Sequence, residues 1–152
     1  MTAANSYRWR QRGTISLWRY LDNTRSFPGW HFSADDAGCA SMLALLDALF
    51  LDPEGTTRTL QLTAPSAEVL SVPNNRRAPV EGPASLRLSH SVDPEVLRWT
   101  ENGGRLVLEI GQARAPLLRK GVADVAAGDG DYCIATVPLP LWFWWWPRAA
   151  ST

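Results

Sequence analysis

Residues 138–147 read Pro-Leu-Pro-Leu-Trp-Phe-Trp-Trp-Trp-Pro and hold four of the eight tryptophans of the chain. A buried aromatic side chain removes roughly 150 to 250 Å² from water, which at about 25 cal/mol per Å² gives roughly 4 to 6 kcal/mol of gross transfer free energy per ring. So many rings need either a large apolar surface within the chain or a partner that covers them. The rest of the fold has to be arranged around this aromatic run.

The aromatic run alternates like a β-strand with two apolar faces. Trp142, Trp144 and Trp146 would share one face, whereas Phe143 and Trp145 would share the other. Two apolar faces are typical of a strand covered on both sides, or of a strand that meets a second protein with one face. We therefore expect either a central strand or the seam of a homodimer.

The chain lacks the features of a membrane or secreted protein. The apolar stretch that ends in the aromatic run is interrupted by Pro138 and Pro140, and it is shorter than the roughly 20 residues that a membrane-spanning helix needs. The N-terminus is polar and rich in arginine, unlike a signal peptide, and two cysteines do not form a disulfide framework. We expect a cytoplasmic protein with reduced thiols and no membrane partner.

Composition indicates one globular domain over residues 1–152, because 45% of the residues are hydrophobic and 20% are charged. The formal net charge of zero argues against a nucleic-acid partner, which would favour a basic surface. Fourteen arginines accompany a single lysine, Lys120. This bias is typical of a GC-rich genome, and the Gly-Asp-Tyr sequence at 130–132 together with the aromatic run resembles an uncharacterised bacterial protein, so we expect a bacterial source.

Two helices are predicted from local signals. Ser33, followed three residues later by Asp36, resembles a capping box and predicts a helix over about 34–50. Its apolar stripe has helical spacing and consists of Cys39, Met42, Leu43, Leu46, Leu49 and Phe50. Pro116 and Gly128 bound a second helix over about 116–127. We expect the aromatic strand to lie beneath the first of these helices.

Period-two alternation predicts a mostly antiparallel sheet of about six strands. The strand signals comprise an N-terminal hairpin that turns near Gly13, strands at 56–63 and 84–92, a hairpin with an Asn102-Gly103 turn, and strands at 132–137 and 141–146. Four prolines predict a long loop at about 64–83, with one helical turn at its start. The predicted fold class is α+β, with one sheet packed against two helices.

Catalytic chemistry has little support in the sequence. His31 precedes the first predicted helix, whose N-terminus could lower the thiol pKa of Cys39 and create a Cys–His pair. However, Cys39 belongs to the apolar stripe, so both residues are weak candidates and the sequence leans against an enzyme. The motifs of phosphate loops, zinc sites and calcium loops are missing from the sequence. We therefore expect no metal and no cofactor.

Binding residues are predicted in three places. Residues 33–55 hold five acidic residues and no basic one, so the first helix could face a basic partner. The proline-rich loop adds two arginines, and the aromatic run adds its alternate tryptophans. The predicted binding residues are Asp35, Asp36, Asp47, Arg76, Arg77, Trp142, Trp144 and Trp146.

Three functions follow, in order of preference. The first is a non-enzymatic interaction protein with a protein partner or a homodimer, such as an immunity-type inhibitor or a regulatory subunit. The net charge of zero weakens the immunity hypothesis, because strong charge steers such inhibitors to their targets. The second is a domain that binds a carbohydrate or another small ligand on exposed tryptophans. The third is an enzyme that uses His31 and Cys39.

Overall fold

The computed structural model describes residues 5–21, 27–73 and 78–148, and it confirms the α+β class. A short 3₁₀ helix covers Asn5–Arg8, and the described α-helices are α1 (Asp36–Leu51), α2 (Ala67–Ser71) and α3 (Ala115–Ala127). The described strands are β1 (Ile15–Tyr20), β2 (Trp30–Ala34), β3 (Thr57–Gln61), β4 (Val80–Glu81), β5 (Ser85–His90), β6 (Leu97–Asn102), β7 (Arg105–Ile110), β8 (Asp131–Ile134) and β9 (Leu141–Trp144).

The described strands form two mixed sheets rather than one sheet of about six strands. One sheet has the order β4-β1-β2-β9-β8, and the other has the order β3-β5-β7-β6. The pairs β2–β9 and β5–β7 are parallel, whereas the remaining pairs are antiparallel. Alternation predicts that a segment is a strand, but a parallel partner comes from a distant part of the chain and leaves no local signal.

Strand β9 is an interior strand that is covered on both faces, as its alternation predicts. Its partners are β2 and β8. On one face Phe143 is fully buried, and Gly121 of α3 lies so close to its ring that a Cβ atom would not fit. The helix above β9 is therefore α3. The prediction that α1 covers this strand is wrong, because α1 packs mainly on α3 and on the N-terminal 3₁₀ helix.

Two apolar clusters hold the fold together, one on each face of the five-stranded sheet. The main core joins both sheets with α1 and α3, and its fully buried side chains include Ile15, Leu45, Leu88, Ile110 and Val122. The smaller cluster lies on the opposite face and contains Trp18, Tyr20, Val69 and Trp144, with α2 packed against it. The five-stranded sheet is thus the middle layer of the molecule.

Helix α1 begins two residues later than predicted. The N-cap is Asp35, whose Oδ1 accepts hydrogen bonds from Gly38 N at 2.7 Å and from Thr14 N at 2.9 Å. The predicted N-cap, Ser33, remains in β2 because that strand pairs with β1 as far as Ala34. The predicted N-cap was therefore wrong by two residues, and the capping group is the carboxylate of Asp35 instead of the hydroxyl of Ser33.

The predicted N-terminal hairpin is wrong. The segment before Gly13 crosses α1 instead, where Trp9 Nε1 donates to the Ser41 carbonyl at 2.8 Å. Gln11 mimics a strand with its side chain, because Nε2 donates to the Gln61 carbonyl at 2.7 Å and Oε1 accepts from Gln61 N at 2.8 Å. A side-chain amide therefore covers the outer edge of β3 where we expected a backbone strand.

Several local predictions are confirmed. Strands β6 and β7 form a hairpin in which Asn102 pairs with Arg105, and the turn residues Gly103 and Gly104 both have positive φ angles. Helix α3 ends at Gly128 in the left-handed region. The proline-rich segment at 64–83 contains the expected helical turn as α2, together with the short strand β4. Its residues 74–77, with the predicted binding residues Arg76 and Arg77, lie outside the described residues.

Candidate functional site

Three of the predicted site residues, His31, Trp142 and Trp144, lie in a row of stacked rings together with Trp18. Trp18, His31 and Trp142 are register partners on β1, β2 and β9. The His31 ring lies 5.6 Å from Trp18, 5.9 Å from Trp142 and 6.2 Å from Trp144, nearly parallel to all three. We call these four side chains the aromatic stack. Trp146 is partly buried against the same cluster.

Both ring nitrogens of His31 are engaged inside the aromatic stack. Trp144 Nε1 donates to His31 Nδ1 at 2.9 Å, and His31 Nε2 lies 3.1 Å from the Phe27 carbonyl, so the proton belongs on Nε2. Burial lowers the pKa of His31 to about 4, although the Phe27 carbonyl opposes the shift. His31 is therefore neutral at pH 7, and its side chain is closed to solvent.

Cys39 and His31 do not form a pair. Cys39 belongs to the main core and its Sγ lies 3.5 Å from the Ala34 carbonyl, whereas His31 lies on the opposite face of the sheet. Burial raises the pKa of the Cys39 thiol to about 12, and the carboxylates of Asp36 and Asp35 add to this shift. A nucleophilic thiol needs a lowered pKa, so this geometry offers none of the required activation.

A second polar cluster contains the residue types of a hydrolase but not their geometry. Ser6 Oγ donates to Asp52 Oδ2 at 2.5 Å, and His90 Nδ1 lies 3.1 Å from the Asp52 carbonyl. A catalytic serine has to donate to an imidazole, whereas Ser6 donates to a carboxylate. All three residues are buried. The cluster thus anchors the N-terminal 3₁₀ helix to the end of α1.

The predicted acidic surface is divided among separate contacts. Asp35 is the cap of α1, Asp36 pairs with Arg148 at 2.8 Å, and Asp47 accepts two hydrogen bonds from Arg119 at 2.9 and 3.0 Å. The Arg119 guanidinium lowers the pKa of Asp47. Asp35 and Asp36 line one cavity of about 390 Å³ together with Trp146, whereas Asp47 lies at another place, beside Arg119.

A cleft between the two sheets lies at a place that the sequence did not indicate. It has a volume of about 540 Å³ and forms where the ends of β1 and β2 meet the outer edge of β6. Its aromatic walls include Trp30 and Trp99, whose ring centroids are 5.9 Å apart. These tryptophans are isolated in the sequence and far from each other, so no local pattern connects them.

One wall of the cleft is the backbone edge of β6. Val137 forms an isolated parallel bridge on this edge, in which Trp99 N donates to the Val137 carbonyl at 2.8 Å and Val137 N donates to the Leu97 carbonyl at 3.0 Å. Backbone groups alternate in direction along a strand, so Glu101 N–H points toward the same edge. Within the described ranges, strand pairing on this edge ends at Val137.

Three consecutive residues of β6, Trp99 to Glu101, line the cleft. Successive side chains point to opposite faces of a strand. Consecutive residues therefore line the same cavity when the cavity lies along the backbone edge of the strand. The rim also carries exposed apolar side chains, since Leu139 and Leu21 have relative exposures of 47% and 49%. The cleft thus combines an open strand edge, aromatic walls and an apolar rim.

The charged part of the cleft centres on Arg19. Its guanidinium carbon lies 4.8 Å from the centroid of the Trp30 ring. Arg19 Nε is 2.5 Å from Glu81 Oε1, and a terminal nitrogen is 3.4 Å from Glu101 Oε1. Two carboxylates therefore surround one guanidinium, and this part of the cleft carries a net charge of −1.

Comparison with protein-family models, with curated proteins and with solved structures finds no match to this chain. No helix among the described residues is long and apolar enough to cross a membrane. Within those same residues, the structure contains no group of three or more histidine, cysteine, aspartate or glutamate side chains that could hold a metal ion.

Proposed function

We propose that this chain is a non-enzymatic binding protein that receives an extended segment of a partner protein in the cleft between its two sheets. The observation that carries the proposal is the open edge of β6 in the wall of that cleft. An extended peptide can add to such an edge as a further strand, with backbone hydrogen bonds for affinity and side-chain pockets for specificity.

The short bridge at Val137 gives the direction in which the partner segment would run. Val137 already pairs with β6 as a parallel strand would, and the chain turns away at Pro138. A partner segment would continue from there, donating to the Trp99 carbonyl and accepting from Glu101 N–H. An apolar side chain of the segment would fill the space between Trp30, Trp99 and Leu139.

An immunity-type inhibitor and a regulatory subunit both belong to this class of protein. Each would use the cleft to hold a strand of its target. The cytoplasmic location and the bacterial source remain predictions from the sequence. A second copy of the chain would also count as a partner protein, so the oligomeric state has to be measured before the binding experiment.

The test compares two substitutions at Glu101. Peptides of 12 residues are selected from a random display library on the wild-type protein, and a selected peptide without lysine or arginine is synthesised. Glu101→Pro removes an N–H that points away from β7, so the hairpin keeps its own hydrogen bonds. Glu101→Gln is the matched control, since it removes the same charge and keeps the N–H.

We expect Glu101→Pro to weaken binding of this neutral peptide by about tenfold or more, because a backbone hydrogen bond is lost and the proline ring blocks the edge. Glu101→Gln should bind within about twofold of the wild type, since exposed charges contribute little to a neutral ligand. Circular dichroism of both variants establishes that the fold is intact. Equal affinities of the two variants would refute strand addition at this edge.

A small-ligand function is the second candidate, and the size and walls of the cleft favour it. A volume of about 540 Å³ lies within the range of roughly 300 to 1,000 Å³ that is usual for small-molecule sites, and aromatic walls are typical of them. A small ligand would not need the backbone of β6. Soluble sugars or aromatic compounds that shift the tryptophan emission equally in Glu101→Pro and Glu101→Gln would favour this candidate.

A further inference from the structure

We propose that the cleft contains a cation subsite, occupied in the free protein by Arg19, which a lysine or arginine side chain of the partner takes over. This inference rests on the proposed function and specifies the chemistry of the bound segment. The subsite consists of the Trp30 ring and the carboxylates of Glu81 and Glu101, which come from three different strands.

The contacts of Arg19 are those that a protein makes with a bound cation. The guanidinium lies over the face of Trp30 at a distance suited to a cation–π interaction, and a carboxylate approaches it from each sheet. Arg19 and Glu81 are register partners on β1 and β4, whereas Glu101 belongs to the other sheet. The tertiary fold therefore brings the two carboxylates to one cation.

The charge balance of this subsite differs from that of the other ion pairs in the described residues. In each of the other described ion pairs one cation faces one carboxylate, as in the pairs formed by Arg98, Arg114, Arg119, Lys120 and Arg148. At Arg19 two carboxylates share one cation, which leaves one negative charge without a counter-ion. A cationic side chain is thus favoured over an anionic one, and a neutral one gains nothing from this charge.

The resident guanidinium is exchangeable. The side chains of Arg19, Glu81 and Glu101 are all about half exposed, and ion pairs with that exposure are weak. A cation of the bound segment would therefore displace only weak contacts that are already open to solvent.

The test uses two small probes of equal shape and different charge. Nα-acetyl-arginine amide and Nα-acetyl-citrulline amide are titrated separately into the full chain, and tryptophan fluorescence reports binding. Arg19→Met removes the resident cation but keeps an apolar stem beside Trp30. Arg98→Met is the matched control, because Arg98 lies in a comparable exposed pair with Glu109 on β7.

We expect Arg19→Met to bind the arginine probe about five- to tenfold more tightly than the wild type does, because the competing ion pairs are gone. Arg98→Met should match the wild type, and the citrulline probe should bind weakly to all three proteins. Equal affinity of Arg19→Met and the wild type for the arginine probe would overturn the inference, as would equal binding of citrulline by Arg19→Met.

Failure of this inference can be distinguished from failure of the proposed function. If the neutral peptide binds and Glu101→Pro abolishes its binding while Arg19→Met does not favour the arginine probe, the strand site remains and the cation subsite is refuted. If the arginine probe gains affinity in Arg19→Met but no peptide responds to Glu101→Pro, the cation subsite remains and the proposed strand addition is refuted.

Discussion

The aromatic stack and the cleft both contain residues of strand β2, yet the polar side chains of the stack are buried whereas those of the cleft are half exposed. In the aromatic stack, the nitrogens of His31 have partners inside the chain, and Trp142 Nε1 donates to the Pro28 carbonyl at 2.9 Å. In the cleft, the ion pairs of Arg19 are half exposed and the edge of β6 continues beyond its last partner.

The segment with the most aromatic residues, the aromatic run, is therefore not the region with the exposed binding surface, which is the cleft. Both faces of β9 are covered by its own rings from the aromatic run, those of Trp142, Phe143 and Trp144. The cleft instead uses Trp30 and Trp99, which lie far from the aromatic run in the sequence and whose inner faces belong to the main core. Substitutions in the aromatic stack should therefore affect stability, whereas substitutions of the exposed cleft residues Arg19 and Glu101 should affect binding.

The largest effect is expected in the aromatic stack itself. Trp144→Ala should lower the free energy of unfolding by about 3 to 5 kcal/mol, because it removes a buried ring and the hydrogen bond to His31. Trp145→Ala is the matched control, since the adjacent ring is 37% exposed and should cost about 1 kcal/mol. Urea denaturation measures both. A loss below about 1 kcal/mol for Trp144→Ala, with the fold intact, would mean that the stack is not a core.

The next effect is the pH dependence that a neutral buried histidine imposes. The folded pKa of His31 is about 4, below the usual value near 6.5, so the unfolded chain binds more protons between these values. The contribution of His31 is fully present above about pH 6.5 and falls by about 3 kcal/mol as the pH approaches 4. Urea denaturation at several pH values should show this loss in the wild type.

His31→Gln is the control for that pH dependence, because glutamine keeps an acceptor for Trp144 and does not titrate. The groups around His31 are aromatic, and the lowered pKa values of Asp47 and Asp124 affect stability only near and below about pH 4. A variant as sensitive as the wild type between pH 6.5 and 4 would assign the dependence to another group.

The smallest effect on stability is expected in the cleft. Arg19→Met should change the free energy of unfolding by less than about 1 kcal/mol, because the ion pairs of Arg19 are half exposed. Thermal or urea denaturation of this variant beside the wild type measures the change. A loss as large as that of Trp144→Ala would make Arg19 a structural residue and remove the contrast between the two regions.

Much of the local structure could be predicted from the sequence. Pro116 and Gly128 mark helix α3 with signals that depend only on their neighbours, and the glycines after Asn102 mark the β6–β7 turn. The alternation in the aromatic run predicted a strand over 141–146 that is either covered on both faces or part of a dimer seam; β9 is covered on both faces and ends at Trp144. These predictions succeed because backbone geometry and burial act within a few residues.

The remaining features depend on contacts between distant segments. Gln11 replaces a strand with its side chain, and Asp35 caps α1 while it also binds Thr14. Neither contact changes the hydrophobic pattern, whose period of two residues indicates a strand and of 3.6 residues a helix. The cleft requires the knowledge that β2 of one sheet packs against β6 of the other, and packing between two sheets leaves no signal in the alternation of either strand.

The most direct test of the account is an NMR titration of the protein labelled with ¹⁵N at its tryptophan indoles, using the display-selected neutral peptide as the ligand. The account predicts that the indole signals of Trp30 and Trp99 shift as the peptide is added, while those of Trp18 and Trp144 remain in place. Shifts confined to the C-terminal tryptophans, with Trp30 and Trp99 unaffected, would contradict it and return the binding site to the aromatic run.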